Sequence, residues 1–319
     1  MVLRVTAEAE FIAALRSLAA HPGARGLEDD AAVLEWGGAT LVVTKDMIVE
    51  GVHYRPDDPP EDVAWKLVAV NLSDLAAKGA RPMAVLLGYM LGEGAWDRRF
   101  AAGLRTAVEG LGAALVGGDT VCGGTGPRVL SLTAIGEADG PVPARSGAAA
   151  GDVLWVSGSI GDAGAGLAAL SGEFAGDDAL VRRYRAPRPR LEAGQRLAPL
   201  VSAMMDVSDG LLIDAARLGH ASGVGITIEL DKMPLSETFL ATLGHSRAAR
   251  LRAATAGDDY ELLFTTAADA GAGIARLAEE LGLPLTRIGR CEEGAGLRLL
   301  EGGEPVPLPE RLGYEHGTG

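Results

Sequence analysis

Cysteine and lysine are scarce in this 319-residue chain, with two of the first and four of the second. Cys122 and Cys291 cannot build a disulfide framework, and no Cys/His cluster has the spacing of a zinc site. Basic charge is also short: 29 Lys and Arg stand against 43 Asp and Glu, a formal net charge of −14. Binding phosphates along an extended surface needs a basic stripe, so the composition argues against a nucleic-acid partner. The acidity suits cations, or anions bridged by cations. No uncharged apolar run reaches the roughly 18 residues of a membrane span. The apolar stretch Ala9–Ala20 is broken by Arg16 and has no basic leader, so it reads as an amphipathic helix rather than a signal peptide. With 48% hydrophobic residues the chain can still bury a sizeable core, and the expectation is a soluble, cytoplasmic, acidic α/β protein of one large or two ordinary domains.

Several phosphate-handling and hydrolytic motifs are missing too. There is no G-x-x-x-x-G-K-[ST] loop, no kinase H-R-D…D-F-G set and no G-x-S-x-G elbow. The segment Gly164–Ala169 matches a degenerate dinucleotide pattern after VLWVSG, but no acid ends a strand about 20 residues later. It reads as close helix packing.

What is present is a regular alternation of apolar runs and glycine-rich ends. The pattern predicts helices at Glu8–Ala20, Asp62–Lys78, Trp96–Ala113, Ser208–His220 and Ala268–Leu281. It predicts strands at Ala31–Leu34, Thr40–Thr44, Met83–Met90, Val129–Ile135, Val153–Ser157, Ala203–Met205, Ile226–Leu230 and Tyr260–Thr265, with a short strand into Val116. The Pro/Gly/Ala-rich segment Ala138–Gly151 reads as the join between two halves. No repeat of fixed period is visible.

Acids recur where these strands end. Asp29 and Asp30 precede AAVL, Asp46 follows LVVTK, Asp119 follows ALVGG, and Asp206 and Asp209 follow SAMM. Inside the helix ending NLSDLAAKG, Asn71, Asp74 and Lys78 fall on one face by three-and-four spacing. Charged groups at strand ends sit at the rim of open α/β sheets, where such folds place ligands. Carboxylates meeting there repel one another unless cations intervene, and oxygen-only ligands suit Mg²⁺ or Ca²⁺. Each acid also has an ordinary explanation: Ser208 or Asp209 as a helix cap, Asp29–Asp30 as a turn, Asp74 as a solvated face.

Taken together, EDDAAVL (28–34), VVTKDMIVEGVHY (42–54), NLSDLAAKGARP (71–82), GGDT (117–120), ARSGAAAGD (144–152), DVSDG (206–210), GDDYELLF (257–264) and GYEH (313–316) resemble the thiamine-monophosphate kinase family. This family lies within the superfamily of aminoimidazole ribonucleotide synthetase, selenophosphate synthetase and the hydrogenase-maturation dehydratase. The segments run in family order over nearly the whole chain. The resemblance implies a two-domain α/β (α+β) fold, with residues 1–138 an N-terminal ATP/Mg²⁺-binding and dimerisation domain and residues 139–319 completing the nucleotide and substrate site. It implies transfer of the γ-phosphoryl group of ATP to thiamine monophosphate by a homodimer, with several Mg²⁺ ions and no general base. By motif, Asp30, Thr44, Asp46, Asp74, Asp119, Asp206 and Asp209 would hold Mg²⁺, with Asp46 and Asp206 the most critical. Gly118, Asp119, Arg145 and Ser208 would contact ATP; His53, Asp258, Glu261 and Tyr314 would lie near the thiamine phosphate.

The chemistry agrees with that implication. A phosphate monoester has a second pKa of about 6, so the acceptor is already mostly dianionic at neutral pH. The difficulty is to bring two polyanions together, which cations and orientation solve. Two departures stand out. Lys45 occupies a position where many relatives carry a small hydroxyl residue, so a cation there would replace one metal or pair with Asp46. Tyr314 stands where Trp is frequent, and it would stack on the thiamine ring or anchor the C-terminal segment. The alternatives are another ATP-dependent synthetase or dehydratase of the superfamily, or a non-catalytic nucleotide-binding dimer. Selenophosphate synthetase uses a reactive Cys or selenocysteine near its start, and no Cys precedes position 122 here; the hydrogenase-maturation enzyme ends in Cys, and this sequence ends in Gly319.

Overall fold

The computed structural model describes residues 7–124 and 126–315. In the first half the elements are α1 (Ala7–Leu15), β1 (Ala32–Trp36), β2 (Ala39–Val49), α2 (Pro60–Ala77), β3 (Arg81–Leu91), α3 (Gly94–Gly110), β4 (Ala114–Cys122) and β5 (Val129–Ala138). After a connecting segment come β6 (Val153–Ser157), α4 (Asp162–Leu170), α5 (Asp178–Arg185), α6 (Leu191–Leu197), β7 (Ala203–Val207), α7 (Leu211–Ser222) and β8 (Gly225–Glu229). The chain then forms α8 (Glu237–Leu243), α9 (Arg247–Thr255), β9 (Glu261–Thr266), α10 (Gly271–Leu281), β10 (Leu285–Glu292), β11 (Gly296–Glu301) and β12 (Glu304–Val306).

Two mixed sheets result. The first has the order β1-β2-β5-β3-β4 and the second β12-β11-β8-β10-β6-β9-β7. Within them, β3 runs parallel to β4 and β11 parallel to β8; the other pairings are antiparallel. The α/β expectation is therefore met in its α+β form. It also changes how the acids are placed. Asp46, Asp119 and Asp206 were expected just beyond strand ends, yet they lie inside β2, β4 and β7. The alternation of the pleat, rather than the rim of a parallel sheet, decides where each one points.

Helix α2 joins the halves. Pro60 opens it in the first turn, where a missing N–H costs nothing, and Gly79 at φ +64° follows its C-cap Lys78. Fourteen of its 18 residues are buried, so it packs on every side. One side lies on β2, β3 and β5 of the first sheet, and the other meets α5, α6, β7 and β9 of the second half. The contact with α6 is close enough that only glycine fits at Gly194: an added Cβ there would stand 1.9 Å from the main-chain oxygen of Ala76. The glycines of the Gly164–Ala169 segment have the packing role read from the sequence, since a Cβ at Gly166 would fall 2.1 Å from the Leu180 oxygen. Among the described residues no helix is long and apolar enough to cross a membrane.

Gly194→Ala should therefore push α6 away from α2, destabilising the chain by about 1–3 kcal/mol as overpacking does. Urea denaturation of the purified variant checks this, and an unchanged midpoint would show that the two helices are not rigidly apposed.

Candidate active site

The face of α2 that carries Asn71, Asp74 and Lys78 points into the junction between the halves, and each side chain takes hold of a different segment. Asn71 Oδ1 accepts the N–H of Asp46 at 2.8 Å, which fixes the middle of β2. Asp74 Oδ2 accepts the hydroxyl of Thr44 at 2.5 Å. Lys78 Nζ reaches Asp29 Oδ1 at 2.5 Å and Asp30 Oδ2 at 2.8 Å. One residue off this row, Ser73 donates its hydroxyl to Asp206 Oδ2 at 2.6 Å, across to β7. Four acids from four distant stretches, Asp30, Asp46, Asp74 and Asp206, thus meet at one helix.

Their mutual influence is visible in their protonation. Burial raises Asp46 to about 6 from the ordinary 3.8, with further contributions from the charges of Asp209 and Asp30. Burial likewise raises Asp74 well above its ordinary value, reinforced by Asp46, Asp206 and Asp30. Asp206 is raised by burial and by Asp30 against the opposing Ser73 hydrogen bond. Asp30 behaves differently. Burial disfavours its charge, but Lys78 and Arg145 outweigh that and hold it down at about 2. Arg145 Nη2 donates to Asp30 Oδ1 at 2.5 Å.

Asp209 and Ser208 belong to the DVSDG turn between β7 and α7. Its geometry depends on Asp214, which the sequence reading passed over. From the first turn of α7 this fully buried carboxylate accepts the N–H groups of Ser208 and Asp209 at 3.1 Å and of Gly210 at 3.2 Å. Arg217 completes the arrangement, donating to Asp209 at 2.5 Å and Asp214 at 2.8 Å. The discoverable signal was an acid four residues into a helix that begins on a Gly turn, placed to gather orphan N–H groups.

Three of the four expected substrate residues also converge. Lys66, 2% exposed on α2, donates to the main-chain oxygen of His53 at 2.9 Å and to Asp258 Oδ2 at 3.0 Å, and lies 4.0 Å over the ring of Tyr184. Asp258 and Tyr260 both adopt left-handed conformations, φ +70° and +51°, unusual for residues other than glycine. Main-chain bonds from Asp258 and Tyr260 to Ser208 and Val207 hold this turn beside the DVSDG segment. The Tyr260 hydroxyl donates to Asp258 Oδ1 at 3.1 Å, and burial together with Asp258, Asp46 and Asp206 raises its pKa. Tyr314, 43% exposed, is tied by its N–H to the Asp209 oxygen at 2.9 Å. The final residue of the GYEH segment, His316, lies outside the described residues.

Other residues are placed elsewhere. Glu261 is fully buried at the start of β9, where Ser157, Arg183 and Arg190 engage both its oxygens at 2.5–2.7 Å. Its carboxylate is committed to an internal ion-pair network with Arg183 and Arg190. Lys45 is corrected more sharply. Strand β2 continues past it, so Thr44 and Asp46 face α2 while Lys45 faces the other way and donates to Ser131 on β5 at 3.2 Å. It neither pairs with Asp46 nor enters the acid cluster. Gly118 and Asp119 lie on the exposed edge strand β4, where Asp119 Oδ1 accepts the N–H of Thr120 at 2.9 Å.

The donor set is all oxygen, which suits a hard divalent cation such as Mg²⁺. Asp30 Oδ2 is buried with no hydrogen-bond partner among the described residues beyond the ion-pair contact of Lys78 Nζ at 2.8 Å. Among the described residues no three acidic, His or Cys side chains form a ready-made cage. Mg²⁺ does not need one: it keeps several waters and binds through one or two carboxylates plus substrate phosphates. The residues fit such an ion.

Residues 28–138 match the family model for the AIR synthase related protein, N-terminal domain, and residues 149–301 match that for the C-terminal domain. Two such domains with an acid-lined junction define the class. Within it, the chain is 39% identical over 305 residues to the thiamine-monophosphate kinase of Caulobacter vibrioides, covering 93% of this chain and 86% of that one. It is 36% identical to the Escherichia coli protein of the same name, with 91% of both chains covered. The chain belongs to the thiamine-monophosphate kinase family. A solved structure described as AaThiL complexed with AMPPCP and TMP superposes with a TM-score of 0.82 at 30% identity, over 99% of both chains. The hydrogenase maturation protein HypE, at 22% identity and a TM-score of 0.70 over 91% of this chain and 93% of that one, shares the fold alone.

Two outcomes follow from the site's electrostatics. Asp214→Ala strands three N–H donors and should destabilise the chain by about 3 kcal/mol; amide exchange at residues 208–210 should quicken, and slow exchange there would remove Asp214 as the turn's anchor. In EDTA, stability should fall as pH rises from about 4 to about 6. Asp46, raised when folded, contributes fully below its ordinary value and loses that contribution as pH climbs through about 6. Asp30, lowered when folded, loses its contribution only below about pH 4. Urea midpoints across this range test the pattern; a midpoint that rises between pH 4 and 6 contradicts it.

Proposed function

We propose that this chain transfers the γ-phosphoryl group of ATP to thiamine monophosphate, giving thiamine diphosphate and ADP. The observation that carries the reading is the convergence of Asp46, Asp74 and Asp206 at α2, each raised in pKa, with Asp74 and Asp206 accepting hydroxyls and Asp46 held through its main-chain N–H by Asn71. Sites of this kind suit a substrate that arrives with its own divalent ions. Mg²⁺ held by these acids, with Asp30, would neutralise charge on the transferring phosphoryl group and the acceptor.

The chain's own residues supply orientation. Asn71, Thr44 and Ser73 fix the acids in place, and Arg145 brings a guanidinium whose buried Nε has no acceptor among the described residues, placed for a nucleotide phosphate. Ser208, on the turn that Asp214 organises, would contact the same nucleotide. His53 and Asp258, linked through Lys66, and Tyr314 beside Asp209 would receive the thiamine phosphate. Glu261 would support that region indirectly, by aligning Arg183 and Arg190. No base is required, because the attacking oxygen belongs to a phosphate that is already ionised.

Residues 1–138 and 139–319 would act as the nucleotide/dimerisation half and the completing half. The first sheet exposes Met83, Leu86, Leu115, Val116 and Val121. A second copy covering this face would approach Gly118 and Asp119, giving the edge strand β4 its part in a homodimeric nucleotide site. An acidic enzyme of this type would work in the cytoplasm on small anions.

With MgATP, the protein should phosphorylate thiamine monophosphate and leave free thiamine untouched, as followed by product chromatography. Asp46→Asn and Asp206→Asn should each lower kcat by roughly 10²-fold or more, the scale of losing a charge-stabilising element. Turnover of free thiamine, or near-normal rates in both variants, would overturn the reading.

A further inference from the structure

The acid pocket is not uniform. One corner is neutralised by the protein's own cations, and the residue that makes it so is Lys78. A lysine at the end of a helix ordinarily extends into water, where its charge also favours the helix dipole. Lys78 caps α2 yet is completely buried. Its ammonium donates to Asp29 Oδ1 at 2.5 Å and to the main-chain oxygen of Met204 at 3.0 Å, and holds Asp30 Oδ2 at 2.8 Å. Those oxygens come from the segment before β1 and from β7, while Lys78 itself follows α2. The three segments it ties together are those that carry Asp30, Asp206 and Asp74.

Two further cations reach the same acids. Arg25 Nη1 holds the other oxygen of Asp29 at 2.6 Å, and Arg145 holds Asp30 Oδ1 at 2.5 Å. Two buried carboxylates therefore face three cations supplied by the chain. On the other side of Asp30, by contrast, Asp74 and Asp206 have the hydroxyls of Thr44 and Ser73. The sequence drew attention to a lysine at position 45, but the lysine that reaches the acids is Lys78.

We infer that Lys78 is a positioning residue, a resident cation that lets the Asp29–Asp30 corner assemble before any divalent ion binds, while Asp46, Asp74 and Asp206 have no such cation among the described residues. This rests on the proposed metal-dependent phosphoryl transfer only for the role of the second side; the assembly itself is testable without turnover. Without Lys78, Arg25 and Arg145 alone would face Asp29 and Asp30 beside the charges of Asp74 and Asp206; losing one partner of a buried ion pair is strongly destabilising, and neutralising one of the acids relieves the excess negative charge.

The test compares melting temperatures of the full chain in EDTA and in millimolar Mg²⁺ for the parent, K78M and K78M/D30N. In EDTA, K78M should melt at least about 5 °C below the parent, a large shift for a domain of this size. Mg²⁺ should recover K78M by more than it stabilises the parent, and the added D30N change should recover at least half of the loss without Mg²⁺. If K78M melts with the parent in EDTA, the inference fails. It also fails if the loss is the same in both buffers and D30N recovers none of it, since Lys78 would then serve packing alone. Should K78M fold in neither buffer, K78M/D30N decides: a folded double variant supports charge balance, and an unfolded one overturns it. An inactive parent chain would undermine the proposed function while leaving these melting outcomes interpretable.

Discussion

Like charges forced together in a place with little water are the constraint on which this structure turns. Two carboxylates about 6 Å apart at an effective dielectric near 20 repel by roughly 3 kcal/mol. A cluster of four cannot remain fully ionised in a chain whose whole stability is only about 5–15 kcal/mol. The protein answers with three devices in one pocket. Lys78 and Arg145 keep Asp30 ionised. Hydroxyls from Thr44 and Ser73 reach Asp74 and Asp206. Asp46, whose own amide is held by Asn71, gives up its proton less readily than an ordinary carboxyl. The arrangement is stable enough to form and is improved by positive charge, the condition for a site that selects cation-bridged anions.

Helix α2 is where that constraint was readable in advance. The spacing of Asn71, Asp74 and Lys78 put a polar row on an otherwise apolar helix, and a helix buried on all sides has no solvent to which such a row can turn. The polar face had to meet partners, and it did. The turn at DVSDG was readable for a similar reason, since glycine and hydroxyl residues just before an apolar helical run leave the backbone few alternatives.

Other features depended on information that lies far away in the sequence. The reading ended β2 at Thr44, but pairing with β5 carries it on to Val49. That extension is long-range, and it decides the faces: Asp46 inward, Lys45 outward. Glu261 sits in a motif beside Asp258 and so looked like a ligand-binding group. Its fate was set by Arg183 and Arg190, more than 70 residues upstream, which no local pattern connects to it. Helices α8 and α9 were passed over although Ser236 and Ser246 cap them by accepting the N–H of Phe239 and Ala249; α8 has only seven residues, and the Ala- and Arg-rich α9 lacks a strong apolar period. Asp214 was missed because its role is toward main-chain donors behind it rather than toward any neighbour in sequence.

The two buried lysines of α2 give the helix a further meaning. Lys66 and Lys78 are twelve residues apart, about 18 Å along a straight helix. The first is bonded to His53 and Asp258, the second to Asp29 and Asp30, and Asn71, Ser73 and Asp74 lie between them. Each lysine also binds a group from the opposite half of the fold, Asp258 in one case and the Met204 carbonyl in the other. A rigid rod pinned at both ends to both halves fixes the separation of the acid corner from the turn that carries Asp258. Transfer between two phosphates demands such a fixed separation, because the gain from alignment is lost when the reacting groups drift by an ångström. The same helix that solves the problem of burying acids therefore also sets the distance over which they work.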